Sequence, residues 1–259
     1  MRAVDVDALV LACAGNEAAR HAAALDAVGV AHHVDGDAWY DDGGGPSIYH
    51  DAVVLRPSSD VATATATLAG SLGARMASAS VLDAWDALDL TSLGFERDDP
   101  QPWMVRWPRP IEARLRAGFS VEQVTSVDGL ERFEATTVVG FGAQPPEPGS
   151  VYGPGLLVDP RLGYWLGCHD GVPVTTVTTI AAAGVVGVYD VTTLPEYRQR
   201  GFASAAVATA LREATLTAGR GLPAVLSTGA AAASVYRTLG FEDLAALSTW
   251  WRAGGGARA

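Results

Sequence analysis

The pattern of apolar and polar residues predicts a definite order of strands and helices in the second half of the chain. Phe119–Val124 alternates with the two-residue period of a strand, and three further stretches have the composition of strands: Tyr164–Cys168, Val172–Ala182 and Val185–Thr193. Three stretches are typical of helices: Asp128–Phe141, Gly201–Ala218 and Ala232–Leu239. A buried strand at Ala224–Ser227 and two closing strands at Phe241–Asp243 and Leu247–Arg252 complete the series. This order of β, α, a β-meander, α, β, α and β predicts an α+β domain with a mixed sheet.

The first half of the chain has a less regular pattern. It predicts a strand at Ser47–Leu55, a helix at Asp60–Leu72, an extended segment at Arg75–Ala79 and a helix at Leu82–Thr91. The sequence Leu-Gly-Phe-Glu at 93–96 recurs at 239–242, and a tryptophan-containing segment follows each copy. We therefore predict a degenerate internal repeat. Alanine-rich helices and a chance Leu-Gly-Phe would account for the same similarity.

Charge is distributed unequally between the two halves. Residues 1–108 contain sixteen acidic and six basic side chains, whereas residues 109–259 contain thirteen and twelve. A proline-rich stretch from Pro100 to Pro110 lies between them, and proline denies the backbone a hydrogen-bond donor. These features predict two domains, 1–108 and 109–259. The acidic first half disfavours binding to nucleic acid, because it would repel the phosphates.

Composition excludes several further classes of protein. The 259 residues are 49% apolar, which is enough for a buried core, but no apolar run reaches the ~18 residues that span a membrane. No export signal is visible after Met1. All eighteen basic residues are arginine, which excludes a lysine Schiff base. Cys13 and Cys168 are too few for a disulfide framework and suit the cytoplasm. The histidines lack the partners of a metal site, so no metal is predicted.

The most informative segment follows the strand that ends at Thr193. Pro195 stops that strand, and the chain passes through Arg198-Gln199-Arg200-Gly201 directly into a helix. Backbone N–H groups at a helix N-terminus are unpaired and carry partial positive charge, so they suit a phosphate group. Gly201 and Ala203 are small enough to let oxygen atoms approach the backbone closely. The segment therefore predicts an anion-binding cradle.

A second informative segment is Tyr236-Arg-Thr-Leu-Gly-Phe, on a short helix that ends at a glycine suited to a left-handed cap. In this order and spacing, the two segments resemble the GNAT acetyltransferase superfamily. Arg198, Gly201 and Ala203 match its R/Q-x-x-G-x-G/A motif, and the resemblance covers about Phe119 to Arg252. It implies the mixed-sheet GNAT acyltransferase fold at 109–259. It also suggests that this domain packs against a degenerate GNAT-like α/β domain at 1–108.

The resemblance implies transfer of an acetyl group from acetyl-CoA to an amine of a small molecule or peptide, by direct attack and without a metal. The backbone N–H of Val191 would stabilise the oxyanion, Thr193 would pair with the pantetheine arm, and Tyr236 would protonate the leaving thiolate. The pyrophosphate would bind to the cradle, whose residues are Arg198, Gln199, Arg200, Gly201, Phe202, Ala203 and Ser204. The alternative for Tyr236 is a core aromatic residue whose hydroxyl bonds to a neighbouring carbonyl.

The sequence departs from the family pattern at two positions. Gly229 stands where many relatives carry an asparagine or serine that faces the cofactor, and Gly187 stands where some relatives place a glutamate. Asp190 is the nearest carboxylate, but strand alternation predicts that it faces away from Tyr189. Glu134 on the first helix of the domain is another candidate for a general base. A water chain or a neutral amine is equally compatible, so the base stays unassigned.

The first half would be catalytically inactive if the repeat is real, because Leu90 takes the place of Tyr236. Acceptor specificity is expected from the loops around Phe141–Trp165, since the family builds its acceptor sites from variable loops. Two other functions fit the sequence. One is a non-catalytic acyl-CoA sensor, and the other is an interaction module that acts through the acidic first half. The chain is compatible with a monomer or a homodimer.

Overall fold

A computed structural model of the chain describes residues 5–43, 45, 49–58, 60–218 and 221–252. Its helices are α1 (Val6–Val28), α2 (Val61–Leu72), α3 (Val127–Gly140), α4 (Phe202–Ala218) and α5 (Ala230–Thr238). Its strands are β1 (His32–Asp35), β2 (Ala38–Asp41), β3 (Ala52–Val54), β4 (Ser80–Asp83), β5 (Phe95–Arg97), β6 (Gln101–Arg106), β7 (Phe119–Gln123), β8 (Leu162–His169), β9 (Val172–Ala182), β10 (Val185–Thr193), β11 (Ala224–Ser227) and β12 (Glu242–Arg252). None of the described helices combines the length and the apolar character needed to cross a membrane.

The described strands form one mixed sheet. Its order is β1-β2-β3-β4-β12-β6-β11-β10-β9-β8-β7, with β5 paired to the end of β12. The pairs β3–β4 and β10–β11 are parallel, and β8, β9 and β10 form an antiparallel meander. The predicted α+β fold with a mixed sheet is confirmed.

Strand β6 crosses the predicted domain boundary. It belongs to the first half of the sequence, yet it lies between β11 and β12 of the second half and pairs antiparallel with both. Beyond that pairing, β12 continues along β4, with Ser248 opposite Asp83. Strands from both sides of the predicted boundary therefore belong to one continuous sheet. Two independent domains, 1–108 and 109–259, remain a prediction.

The residues of the central strands alternate between two apolar layers. Val186 and Val188 of β10 contact the layer that contains α4 and α5, whereas Val185 contacts the layer that contains α1. The same alternation occurs on β6, where Met104 faces α4 and Trp103 faces α1. A third cluster, beneath α1 and α3, covers the outer strands. Over the strands of the second half, α4 and α5 thus cover one face of the sheet, and α1 and α3 cover the other.

The predictions for the first half are wrong over residues 75–91. Gly73–Ala77 forms a 3-10 turn rather than an extended segment, and β4 occupies the start of the predicted helix at Leu82–Thr91. The cause is Asp83, whose buried carboxylate accepts hydrogen bonds from the backbone N–H groups of Trp85, Ala87 and Leu88 at 2.7–3.2 Å. These bonds close a loop around the carboxylate, and the next helical turn is only Thr91–Leu93.

Three smaller differences concern the ends of strands. Of the strand predicted at Ser47–Leu55, Ala52–Val54 is observed as β3, and residues 47 and 48 lie outside the described part of the chain. The two predicted closing strands are one continuous strand, β12, with a register shift between Asp243 and Ala245. The repeated Leu-Gly-Phe-Glu has the same local form in both copies, because Gly94 and Gly240 have φ of 80° and 85° and a strand follows each. The internal repeat itself stays a prediction.

Candidate active site

Strand β10 departs from regular pairing towards its C-terminal end. It pairs with β11 at Val186 and Gly187, and this pairing stops before β11 ends at Ser227. On its other side, the register with β9 shifts between Tyr189 and Thr192. Asp190, within this bulge, has φ of 51°, which is uncommon for a residue other than glycine. The two strands therefore diverge beside Val191, where the sequence predicts the oxyanion-binding N–H.

The predicted cradle follows directly. A 3-10 turn at Pro195–Tyr197 leads to Gln199 and Gly201, whose φ values of 59° and 79° turn the chain into α4. The carbonyl of Gly201 accepts the N–H of Ala205 at 3.1 Å and so begins the helix. The N–H groups of the three residues between them lie in the first turn, where the helix supplies no acceptor. The ring of Phe202 points into the core, 4.6 Å from that of Phe119, so only its backbone is available to a ligand.

The two arginines of the motif have different surroundings. Arg198 donates to the carbonyls of Thr193 at 3.0 Å and Gly140 at 2.8 Å, so its guanidinium fixes the loop against the end of α3. Arg200 lies over the ring of Phe202, 5.0 Å from its centroid, and its guanidinium is 3.0 Å from the ring nitrogen of His169. Arg200 therefore borders the cradle as an exposed cation, whereas Arg198 acts mainly on the backbone.

The linker between β6 and β7, residues 107–118, contributes arginines beside the cradle, which the sequence pattern did not predict. A cleft of about 710 Å³ beside the cradle is lined by Arg109, Arg114, Arg116, Gly201, Ser204 and Gly240, among others. Arg116 also lines a neighbouring cleft of about 530 Å³ with Gln199 and Arg200. The signal was present as four arginines between residues 106 and 116. They place positive charge next to the predicted phosphate position.

Tyr236 lies on α5, with its ring in the core and 5.9 Å from the ring of Phe241. Its side chain is buried, which raises the pKa of the hydroxyl to about 12. The hydroxyl makes no hydrogen bond to any of the described residues, in contrast to a core tyrosine tied to a neighbouring carbonyl. At neutral pH the hydroxyl is therefore protonated and free to donate.

Residues 130–241, which include the bulge, the cradle and Tyr236, match the acetyltransferase (GNAT) family. These residues form a GNAT acetyltransferase domain. The predicted resemblance is thereby confirmed, and acyl transfer is the activity that the family and the fold support. The matched range ends at Phe241, so β12 and the whole first half lie outside it.

Solved structures extend the likeness beyond the GNAT domain. A GCN5-related N-acetyltransferase from Kribbella flavida is 25% identical, with a TM-score of 0.66 over 93% of this chain and 97% of that one. A GCN5-related N-acetyltransferase from Sphaerobacter thermophilus shares the fold at 17% identity, with a TM-score of 0.56 over 86% of this chain and 79% of that one. No curated protein is significantly similar to the chain. The shared fold therefore includes most of the first half.

Helix α1 packs against β10 on the face opposite α4. The amide of Asn16 donates to the carbonyls of Ile180 at 3.2 Å and Ala182 at 3.0 Å, and the hydroxyl of Tyr189 donates to its Oδ1 at 2.8 Å. Gly187 makes this contact possible, because a Cβ there would lie 2.0 Å from Asn16 Oδ1. The position at which some family members carry a glutamate is thus taken by α1.

The prediction that Asp190 faces away from Tyr189 is wrong. Both side chains contact Arg20 of α1: its guanidinium lies 4.5 Å from the Tyr189 ring centroid, and its Nη1 is 3.5 Å from Asp190 Oδ1. The bulge breaks the alternation of the strand and turns two consecutive side chains to the same face. Asp190 therefore stands on the α1 face of the sheet, one residue before Val191.

Glu134, the other candidate base, has a structural role. Its buried carboxylate accepts the backbone N–H groups of Gly149 at 2.6 Å, Val151 at 2.5 Å and Tyr152 at 3.1 Å. Three donors occupy the carboxylate, so it holds the loop after α3 instead of accepting a substrate proton.

Proposed function

We propose that the protein transfers an acetyl group from acetyl-CoA to an amine of a small molecule or peptide. The observation that carries the proposal is the junction of the diverging end of β10 with the N-terminus of α4, inside the GNAT domain. The buried free thiols of Cys13 and Cys168 favour the cytoplasm as its location.

In this proposal, the backbone of residues 198–204 binds the pyrophosphate, assisted by Arg200 and the linker arginines. Thr193 pairs with the pantetheine arm, and the N–H of Val191 stabilises the oxyanion. The amine nitrogen forms its bond to the carbonyl carbon as the bond from carbon to sulfur breaks. Tyr236 gives its proton to the thiolate and regains one from solvent, and the nitrogen of the neutral amine releases one proton to solvent.

A matched pair of glycine variants tests the cofactor site. Gly201→Glu places a carboxylate in the cradle, whereas Gly184→Glu places one at the far end of β10, with nearly the same φ (77° against 79°) and no atom within 4 Å. Both variants carry the same backbone strain. Acetyl-CoA at about 100 times its Kd should stabilise the parent and Gly184→Glu by roughly 2.7 kcal/mol, and Gly201→Glu should gain nothing. Equal stabilisation of both variants would show that the cradle is misplaced.

A screen of amines with acetyl-CoA then separates an enzyme from an acyl-CoA sensor. An enzyme releases free thiol in the presence of its acceptor, and the release depends on Tyr236. A sensor is stabilised by acetyl-CoA through the same cradle but releases no thiol with any amine.

A further inference from the structure

A group of charged and aromatic side chains is buried between α1 and the bulge of β10, outside the residues assigned to the cofactor. We call it the α1 cluster; it consists of Glu17, Arg20, His21, Tyr49, His50, Tyr152, Tyr164, Tyr189 and Asp190. Arg20 lies at its centre, with its guanidinium 4.8 Å from the ring centroid of Tyr49 and 4.5 Å from that of Tyr189. The first half of the chain thus reaches the bulge beside Val191.

The two acidic residues of the α1 cluster contact Arg20 at different distances. Arg20 Nη2 forms a close ion pair with Glu17 Oε1 at 2.7 Å, whereas its contact with Asp190 Oδ1 is long, at 3.5 Å. Burial opposes the ionisation of Glu17, but the combined attraction of nearby basic groups, Arg20 first among them, outweighs it and lowers the pKa of Glu17 to about 2. Burial and then the charge of Arg20 lower the pKa of His21 to about 3, so His21 is neutral. Asp190 is left with one long contact, to Arg20.

Several polar atoms in this region lack a partner among the described residues. They are Asp190 Oδ2, Tyr152 OH, Thr178 Oγ1 and Arg20 Nε. Thr178 lies directly across from Tyr164 and from Tyr189 in the sheet, and Asp190 contributes, after burial, to the raised pKa of Tyr152. Buried polar atoms are nearly always paired in folded proteins. Their concentration at one place points to a polar group of a ligand.

The location fits the acceptor rather than the acetyl donor. The cradle and Tyr236 belong to the α4 face of the sheet, whereas Asp190 is on the α1 face. The two faces meet where β10 and β11 diverge, beside Val191. If acetyl-CoA reaches this point from the α4 face, the acceptor amine can approach from the α1 face.

On the basis of the function proposed above, we propose that Asp190 binds the ammonium group of a cationic acceptor and that Arg20 of α1 positions Asp190. The free Oδ2 accepts a hydrogen bond from the ammonium, and the hydroxyl of Tyr152 is a second oxygen for it. Because an ammonium nitrogen has no lone pair, it releases one proton to solvent before the neutral nitrogen attacks the thioester. The substrate class is therefore an amine that is protonated at neutral pH, and the first half forms part of its site.

The acceptor class is tested with a panel of two kinds of amine at pH 7.5. Alkylamines, polyamines and amino-acid amides are cationic at this pH, and arylamines are neutral. Thiol release should be confined to the cationic set. Comparable kcat/KM for neutral arylamines would overturn the inference while leaving acetyl transfer intact. If none of the amines in the panel supports thiol release, the proposed enzyme activity itself is contradicted.

Asp190→Asn removes the charge and keeps the shape. With the most active amine of the panel, its KM should rise at least tenfold, with kcat changed less than threefold and stabilisation by acetyl-CoA unchanged. Asp170→Asn is the matched control, because Asp170 has φ of 50° against 51° and is exposed in the β8–β9 turn. An unchanged amine KM in Asp190→Asn would refute the assignment.

The positioning role of Arg20 has its own test. Arg20→Lys keeps the charge but loses one arm of the guanidinium, so the amine KM should rise less than in Arg20→Gln, with kcat nearly constant in both. Parent-like amine KM in folded Arg20→Gln would remove Arg20 from the site. If Asp190→Asn or Arg20→Gln fails to fold, the pH dependence of the amine KM in the parent decides. As the pH is lowered below the pKa of the amine, this KM stays constant if the ammonium is the bound form. It rises tenfold per pH unit if the neutral amine is the bound form.

Discussion

The substitution Tyr236→Phe removes one hydroxyl group from α5 and keeps the ring against Phe241. Because the hydroxyl bonds to none of the described residues, its loss leaves no protein donor or acceptor unpaired. The free energy of unfolding should therefore change by no more than about 0.5 kcal/mol. Binding of acetyl-CoA should be unaffected, since the cradle lies on α4.

The expected loss of turnover follows from the burial of the hydroxyl. Burial raises its pKa to about 12. A thiol has a pKa of about 8.5, so complete transfer of the proton from Tyr236 to the thiolate is uphill by roughly 5 kcal/mol. The hydroxyl then helps by partial transfer as the bond to sulfur breaks, at the low end of general acid catalysis. We expect kcat to fall about 10- to 100-fold, or about 1.4–2.7 kcal/mol.

Steady-state thiol release and thermal denaturation on one preparation test this prediction. A fall in kcat with unchanged KM and melting temperature places the hydroxyl in the transition state. The parent should also show no loss of kcat from tyrosine ionisation below pH 10, because the pKa of Tyr236 is about 12. Full kcat with a lower melting temperature would refute the reasoning and leave Tyr236 as a core residue.

Two further predictions concern stability. The pKa of His21 is lowered from 6.5 to about 3 in the folded protein, so the free energy of unfolding should fall by up to about 1.4 kcal/mol per pH unit as the pH is lowered from 6.5 towards 3. Urea denaturation at several pH values should show that this free energy depends less steeply on pH in His21→Phe than in the parent. An equal pH dependence in the two proteins would contradict the prediction. A fragment of residues 109–259 lacks β6, so it should not melt cooperatively or be stabilised by acetyl-CoA, whereas cooperative melting would support the domain boundary near Pro108.

The second half of the fold was largely predictable because its signals are local. Strands β9, β10 and β11 have the predicted bounds, since runs of β-branched residues end at glycine, proline or Asp-Gly turns. Helix α1 was not predicted, because Asn16, Glu17, Arg20 and His21 are buried and break the apolar face of the helix. The partners of Asn16 and Arg20 on β10 are about 170 residues away, and no local pattern reveals them.

The candidate site shows the same division. The cradle and Tyr236 could be proposed as site residues because glycine, arginine and tyrosine occur there at fixed spacing along the chain, and their roles stay predictions. The orientation of Asp190 was not predictable, because it depends on a bulge with positive φ, and alternation assumes a regular strand. Arg198 illustrates a subtler limit: the sequence predicts its charge, but its contacts with Thr193 and Gly140 depend on the packing of α3.

The position of β12 has a consequence for the order in which the protein folds. Residues Ser80–Asp83 of β4 pair with Ser248–Trp251 of β12. This edge of β4 therefore has no partner strand until nearly the whole chain has left the ribosome. Pairing over such a separation is slow, and an open strand edge invites association with other chains. Production of soluble protein should therefore gain from slower translation and lower temperature, which give the last strand time to close the sheet.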